Sequence, residues 1–356
     1  MAGLTGGRAS AAEKTSGVGF LDLSRRSAAI APELRVALDR ILESGVVLWG
    51  EELNGFEREW ADFTGKRHVV AVGSGTDALR LAILAHGIGS GDEVIIPAFT
   101  AVPTAAAVAA AGATPVPVDV DADTAALDVD AVQAAVTDRT RAVVVVHLYG
   151  RPAELPDLGL PVIEDAAHAH AALEGASGSA TAYSFYPTKN LGGIGDGGAV
   201  ATDDAGLADR VRSLRSHGLA DDGTFAEIST NSRLSELEAA ALRIGLRRLE
   251  RGNRRRAEIA AAYRSAASSL RWHPDHPRHA YHLCVARLPD REQFRATMPF
   301  ETAVHYPRTI TDEPAYAHFR RADTPAAADW AAECVSFPCY PELTDAEVER
   351  VCAALG

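Results

Sequence analysis

The sequence predicts an α/β protein with a mostly parallel central sheet, helices on both of its faces, and a smaller α+β domain at the C-terminal end. Three observations carry this reading. Short runs such as residues 142–146 are apolar throughout and rich in Val, as expected for strands buried on both faces. Segments of helical periodicity fall between most of these runs, the signature of strand–helix–strand units. Beyond Ser235 the pattern changes to one long stretch dense in Ala, Leu and Arg, followed by shorter segments punctuated by Pro274, Pro277, Pro289, Pro299 and Pro307.

The elements can be justified in chain order. Residues 1–18 are rich in Ala, Gly and Ser, lack the apolar stretch of a secretory signal, and read as a disordered tail. Over residues 30–63, Leu34, Leu38, Ile41 and Leu42, then Leu53, Phe56 and Trp60, recur at helical spacing around a break at 45–50. This predicts two amphipathic helices leading into the core. Strands at 69–72, 94–96, 115–118 and 142–146 then alternate with helices at 77–86, 103–111 and 128–136, and further strands follow at 162–163 and 199–201. A helix is expected over 235–267, with the change of composition near 245–252 placing a boundary between a large domain, 19–248, and a small one, 249–356. No internal repeat is visible.

Bulk composition narrows the function classes. The chain has 356 residues, 47% of them hydrophobic, enough for a large core plus a smaller one. Its 35 basic residues against 48 acidic ones give a formal charge of −13, which argues against a nucleic-acid partner. Small anions are still admissible, because backbone donors act locally. Cys284, Cys334, Cys339 and Cys352 lack metal-ligand spacing and read as reduced, buried thiols of a cytoplasmic protein, with no metal site expected. No window approaches a membrane span, so no membrane partner is expected.

Three segments carry chemistry. Gly73-Ser74-Gly75-Thr76-Asp77-Ala78-Leu79 follows a strand and opens a helix, where glycines allow close approach and free N–H groups face an anion. The same letters fit a dinucleotide fingerprint, and a plain capped turn is a third possibility. In Val162-Ile163-Glu164-Asp165-Ala166-Ala167-His168 an acidic pair closes an apolar strand at the edge where such sheets bind ligands. A carboxylate there can keep a pyridinium nitrogen protonated, although capping the next turn is the plainer role for Asp165, and packing for His168. In Tyr183-Ser184-Phe185-Tyr186-Pro187-Thr188-Lys189-Asn190 a lysine stands between a β-like segment and a glycine-rich loop, among side chains polar enough to ligate phosphate. A Schiff-base lysine needs partial burial so that its amine loses its proton readily. One lysine is ordinarily a solvated charge; the three segments in this order point to pyridoxal phosphate (PLP).

The runs GSGTDAL, IEDAAHAH, SFYPTKNLGGIGDGGAV and NSRLSELEAA resemble the DegT/StrS family of PLP-dependent sugar aminotransferases, and the resemblance extends from about residue 20 to the C-terminus. It implies an aspartate-aminotransferase-like PLP-transferase fold, a homodimer with shared active sites, L-glutamate as amino donor, a nucleotide-linked keto sugar as acceptor, and a pyridoxamine (PMP) form between half-reactions. Carried over by position, Lys189 would form the Schiff base and Asp165 would pair with the ring nitrogen. His168, where the family often has glutamine, would approach the phenolic oxygen. Gly75, Thr76 and Ser184 would hold the phosphate, and Asn231 would reach the phosphate in the partner subunit.

The departures concern the substrate side. Ala101 stands where many relatives carry an aromatic side chain that stacks on the pyridine ring, and Phe99, the nearest alternative, reads as core. Residues 306–316 lack the histidine and glutamine usual in relatives. The retained lysine favours transamination over PMP-dependent dehydration, whose enzymes carry histidine there. Residues 146–150 and 304–307 resemble members acting at carbon 3 more than at carbon 4, with a cyclitol ketone as a further acceptor. His305 and Tyr306 are candidates to bind the sugar or its diphosphate, against a role in loop packing. A nicotinamide dehydrogenase and a catalytically silent PLP-binding regulator are the rival classes.

Overall fold

A computed structural model describes residues 17–173 and 177–356. Most of the expected tail lies outside the described residues. Val18, assigned to it by composition, is instead buried and bridges Phe300, because an apolar side chain at that point completes the smaller core.

Two helices enter the fold, α1 (Leu23–Ser44) and α2 (Glu51–Thr64). Each ends on a glycine with φ near 70°, Gly45 and Gly65, the left-handed conformation that terminates helices without a Cβ penalty. Then follow β1 (His68–Val72), α3 (Gly75–Ala85), β2 (Glu93–Pro97), α4 (Val102–Ala110), β3 (Thr114–Val118), α5 (Val129–Ala135), β4 (Thr140–Val146), β5 (Val162–Asp165), β6 (Ala180–Ser184), β7 (Gly198–Thr202), α6 (Ala205–Leu214) and the 31-residue α7 (Glu236–Ala266). The C-terminal part holds β8 (Arg271–Trp272), β9 (Cys284–Arg287), α8 (Arg291–Thr297), α9 (Pro325–Glu333), β10 (Cys334–Phe337) and α10 (Asp345–Leu355).

The large sheet has seven strands in the order β1-β7-β6-β5-β4-β2-β3. Only β7 runs antiparallel to its neighbours, so the C-terminal ends of β1, β6, β5, β4 and β2 share one edge. The strands are buried on both faces, against α3 and α4 on one side and, on the other, against α2 and α7 at β1, β6 and β7 and against α5 at β2, β3 and β4. A second, three-stranded antiparallel sheet, β10-β9-β8, forms the smaller core.

The composition change near 245–252 falls inside α7, which runs unbroken through Gly245 and Gly252. Its first half packs Ala239, Leu242 and Leu249 into the large unit, and its second half packs Ile259, Ala260 and Tyr263 into the small one. Cys284, Cys334 and Cys339 are buried free thiols, and Cys352 is half-buried. Among the described residues no helix is long and apolar enough to cross a membrane, and no group of side chains could hold a metal ion.

Candidate active site

The site forms where the C-terminal ends of β1, β5 and β6 meet the N-terminus of α3. Ser74 caps α3, its Oγ accepting the Asp77 N–H at 3.1 Å, so this hydroxyl serves the helix rather than a ligand. Gly75 is required by packing: a Cβ there would overlap the Cβ of Ser184. Gly75, Thr76 and Ser184 are thereby brought to one spot in front of the helix N-terminus, where unpaired N–H groups and the helix dipole favour an anion. The Thr76 hydroxyl has no partner among the described residues, and Ser184 Oγ makes only a 3.4 Å contact with the Tyr186 N–H.

Asp165 ends β5 as a buried carboxylate. Its Oδ1 accepts the Ala167 N–H at 3.1 Å and its Oδ2 accepts the Thr104 hydroxyl at 3.0 Å. Burial holds its pKa above the ordinary carboxylate value despite these donors and the Lys189 charge. No cation is hydrogen-bonded to it among the described residues, so the carboxylate has capacity for a charged N–H partner. Thr104 is absent from the sequence-based site; it sits on α4, 61 positions away in the chain, and only the sheet topology brings it here.

His168 is buried beyond the end of β5. Its Nδ1 accepts the Tyr149 N–H at 3.2 Å, which leaves the ring proton on Nε2. Burial, aided by the nearby Lys189 charge, pushes the pKa well below 6.5, so the imidazole is a neutral donor at Nε2. His282, also missed from sequence, lies 4.3 Å away between ring centroids.

Lys189 follows β6 in a turn closed by its own N–H donating to the Tyr186 carbonyl at 2.9 Å. Burial lowers its pKa to about 8, opposed by the Asp165 charge. The amine therefore sheds its proton near neutrality, as a Schiff-base lysine must. Asn190, one of the polar neighbours considered for phosphate, is spoken for: its Nδ2 donates to Asn253 Oδ1 and to the Ala280 carbonyl, both at 2.8 Å, and its Oδ1 accepts from His282 Nδ1 at 3.2 Å.

His305 and Tyr306 reach the same site from the smaller unit. The His305 ring lies over Phe20 at 5.7 Å and its Nδ1 is 2.9 Å from Ser336 Oγ. Burial and the Lys189 charge lower its pKa to about 4. The Tyr306 phenol has no hydrogen-bond partner among the described residues, and burial together with the Asp165 charge raises its pKa. Phe99 is core, fully buried against Trp330 at 6.1 Å, and Ala101 is the half-buried N-cap of α4. Asn231 is exposed, and its side chain has no partner among the described residues. The adjacent Ser232 locks onto the anion turn, its Oγ accepting the Gly73 N–H at 2.9 Å and donating to Asp77 at 2.8 Å.

A buried carboxylate awaiting a cation, a lysine of lowered pKa and an open anion turn, all on one sheet edge, fit PLP and leave a dinucleotide reading of the glycine motif without a role for Lys189. The family model of the DegT/DnrJ/EryC1/StrS aminotransferases matches residues 29–356, and the chain belongs to that family. It is 41% identical to dTDP-3-amino-3,4,6-trideoxy-alpha-D-glucose transaminase of Streptomyces venezuelae, over 96% of each chain. It is 40% identical to the erythromycin biosynthesis sensory transduction protein EryC1 of Saccharopolyspora erythraea, covering 95% of this chain and 98% of that one. The crystal structure of S. venezuelae DesV in complex with a ketimine intermediate superposes with a TM-score of 0.90 at 40% identity, covering 95% and 97% of the two chains. The protein is a PLP-dependent sugar aminotransferase with the fold of that family.

Proposed function

We propose that the protein transfers the amino group of L-glutamate to carbon 3 of a nucleotide-linked keto-deoxysugar, in cytoplasmic amino-sugar biosynthesis, as a homodimer with shared sites. The observation that carries this reading is Lys189, an amine titrating near pH 8 beside the buried Asp165. When bound, PLP supplies an electron sink that lets the C–H bond of an attached amine ionise. Lys189 Nζ would move one proton in each half-reaction between the substrate carbon that bears nitrogen and the cofactor carbon, away from the donor's carbon in the first and onto the acceptor's in the second. Asp165 would accept the ring N–H, His168 would donate from Nε2 to the phenolic oxygen, and Gly75, Thr76 and Ser184 would hold the phosphate with Asn231 of the other copy. His305 and Tyr306 border the acceptor, where the free phenol of Tyr306 is available to a sugar hydroxyl.

Carbon 3 is supported by the S. venezuelae relative, a dTDP-3-amino-3,4,6-trideoxy-alpha-D-glucose transaminase, and by the segments 146–150 and 304–307. The regulatory name of EryC1 keeps a silent PLP-binding protein as the second reading; the complete Lys189, Asp165 and His168 set speaks against it. Carbon 4 sugars and cyclitol ketones are tested by the same assay. The purified protein is run in reverse with 2-oxoglutarate and a panel of 3-amino and 4-amino nucleotide sugars and aminocyclitols. We expect amine consumption with a 3-amino nucleotide sugar, abolished in Lys189→Ala together with the visible absorbance of lysine-bound cofactor. Consumption confined to another acceptor, or none with any, overturns the assignment.

A further inference from the structure

The glycine-rich run after Lys189 is built around two charges that the chemistry above does not use. Arg26, on α1, inserts its guanidinium into the loop: Nη1 donates to the Pro187 carbonyl at 2.7 Å and weakly to that of Lys189 at 3.5 Å. Nη2 donates to the carbonyls of Gly192 at 3.0 Å and Gly193 at 2.8 Å. No carboxylate is paired with Arg26 among the described residues, and burial lowers its pKa. On the other side Glu238, from α7, accepts the Ile194 N–H at 3.0 Å as well as that of Gly195, and burial raises its pKa.

The glycines follow from these partners rather than from a phosphate. A Cβ on Gly192 would stand 2.6 Å from both Arg26 Nη1 and the Pro187 carbonyl oxygen, and one on Gly195 would stand 2.9 Å from Glu238 Oε1. A planar fork of donors can satisfy several carbonyls at once, which an ammonium cannot. Removing it leaves the carbonyls of Pro187, Lys189, Gly192 and Gly193 without the donor they share, and the loop without the group it is folded around. The loop is closed behind the guanidinium by the Gly193 N–H donating to the Phe185 carbonyl at 2.8 Å.

We propose that Arg26, backed by Glu238, is a positioning residue for Lys189: the lysine-bearing loop is folded around its guanidinium, so that α1 sets where the amine stands. This rests on Lys189 carrying the cofactor. A merely structural Arg26 would anchor α1 to the body, and Arg25 supplies the control, since it ties the same helix to Glu347 by a 2.7 Å pair and to the Glu342 carbonyl, with no bond to the lysine-bearing loop among the described residues.

The test compares Arg26→Met, Arg26→Lys, Gly192→Ala and Arg25→Ala. Two readouts are taken beside the thermal midpoint: cofactor retention on dilution, followed by visible absorbance, and the pH midpoint for acylation of the Lys189 amine in cofactor-free protein. We expect Arg26→Met and Gly192→Ala to weaken retention about 10-fold and raise the acylation midpoint by about 0.5–1 unit as the amine becomes better hydrated. Arg26→Lys should fall between them and wild type, and Arg25→Ala should lower the thermal midpoint with both readouts unchanged. If Arg26→Met does not fold, Arg26→Lys decides, since it keeps the charge and loses the planar fork that serves several carbonyls. Wild-type retention and midpoint in Arg26→Met, or in Arg26→Lys where it decides, or equal shifts in Arg25→Ala, overturn the proposal. Failure of the wild type to form lysine-bound cofactor sinks the functional reading instead.

Discussion

At the scale of single residues, the burial of the Lys189 amine carries a cost to the cofactor-free fold. Its pKa is about 8 in the folded chain and near 10.5 when unfolded, so the unfolded state binds more protons between those values. Folding is therefore penalised below pH 8, and the penalty is relieved as pH rises through the window from 8 to 10.5. We expect cofactor-free Lys189→Met to be more stable than wild type by about 1–3 kcal/mol at pH 7, with the gap closing by pH 10.5. Denaturant unfolding at the two pH values checks it; a gap that is absent at pH 7, or that widens with pH, contradicts the lowered pKa. Thr104→Val bears on Asp165 in the same way. Losing the 3.0 Å hydroxyl donor should drive that carboxyl further toward its neutral form and weaken cofactor retention several-fold, read by dilution and absorbance. Lys189, Asp165 and His168 could be named from the sequence as candidates because each belongs to a local run with its own logic. Thr104, His282, Arg26 and Glu238 were not, because each acts on a residue distant in the chain, and nothing in a lone Thr or Arg announces its partner.

At the scale of elements, the strands were readable because burial on both faces imposes unbroken apolar runs, as in β4, where Ala142, Val143, Val144 and Val145 are all fully buried. Helix α6 escaped although Leu207, Ala208, Val211 and Leu214 line its buried face, since a ten-residue helix with charged residues between them gives a weak period. The beginning of α1 was set too late, because Asp22, which caps it by accepting the Ser24 N–H, precedes the apolar repeat. Junctions between elements were equally hidden. Glu236, read only as the opening of a long helix, also caps another: its carboxylate accepts the N–H groups of Gly50 at 2.8 Å, Glu52 at 2.8 Å and Leu53 at 3.2 Å at the start of α2. It is buried, so truncation strands three donors that water does not readily reach. Glu236→Ala should cost about 2–4 kcal/mol and Glu236→Gln, which keeps one acceptor oxygen, clearly less. Equal losses in the two variants by denaturant unfolding would show that the carboxylate's two-oxygen cap is not what holds the junction.

At the scale of the whole molecule, the exposed apolar side chains near Asn231 in the chain bear on how two copies would meet. Phe225 and Ile228 are exposed on the segment that leads to Asn231, and Leu219 is 42% exposed where it bridges Phe225. Val46, Val47 and Trp49 are exposed as well, and Trp49 is linked to the segment of Asn231 through Arg215, whose guanidinium lies 4.7 Å over the Trp49 ring and whose carbonyl accepts the Ser232 N–H. Exposed apolar side chains of this size would suit an interface with a second copy, and the Asn231 side chain, without a partner among the described residues, follows them in the chain. In a homodimer the same face that buries Phe225 and Ile228 would carry Asn231 to the other copy's anion turn, so assembly and cofactor affinity would be linked through mass action. Phe225→Asp with Ile228→Asp should give the mass of a single chain by light scattering and lose cofactor on dilution, whereas Asn231→Ala should keep the dimer mass and lose cofactor alike. Mixing Asn231→Ala with Lys189→Ala subunits should then restore turnover, because one site of each mixed dimer has both residues. A charged double variant that is a single chain yet retains cofactor as wild type does would show that each site is complete within its own chain.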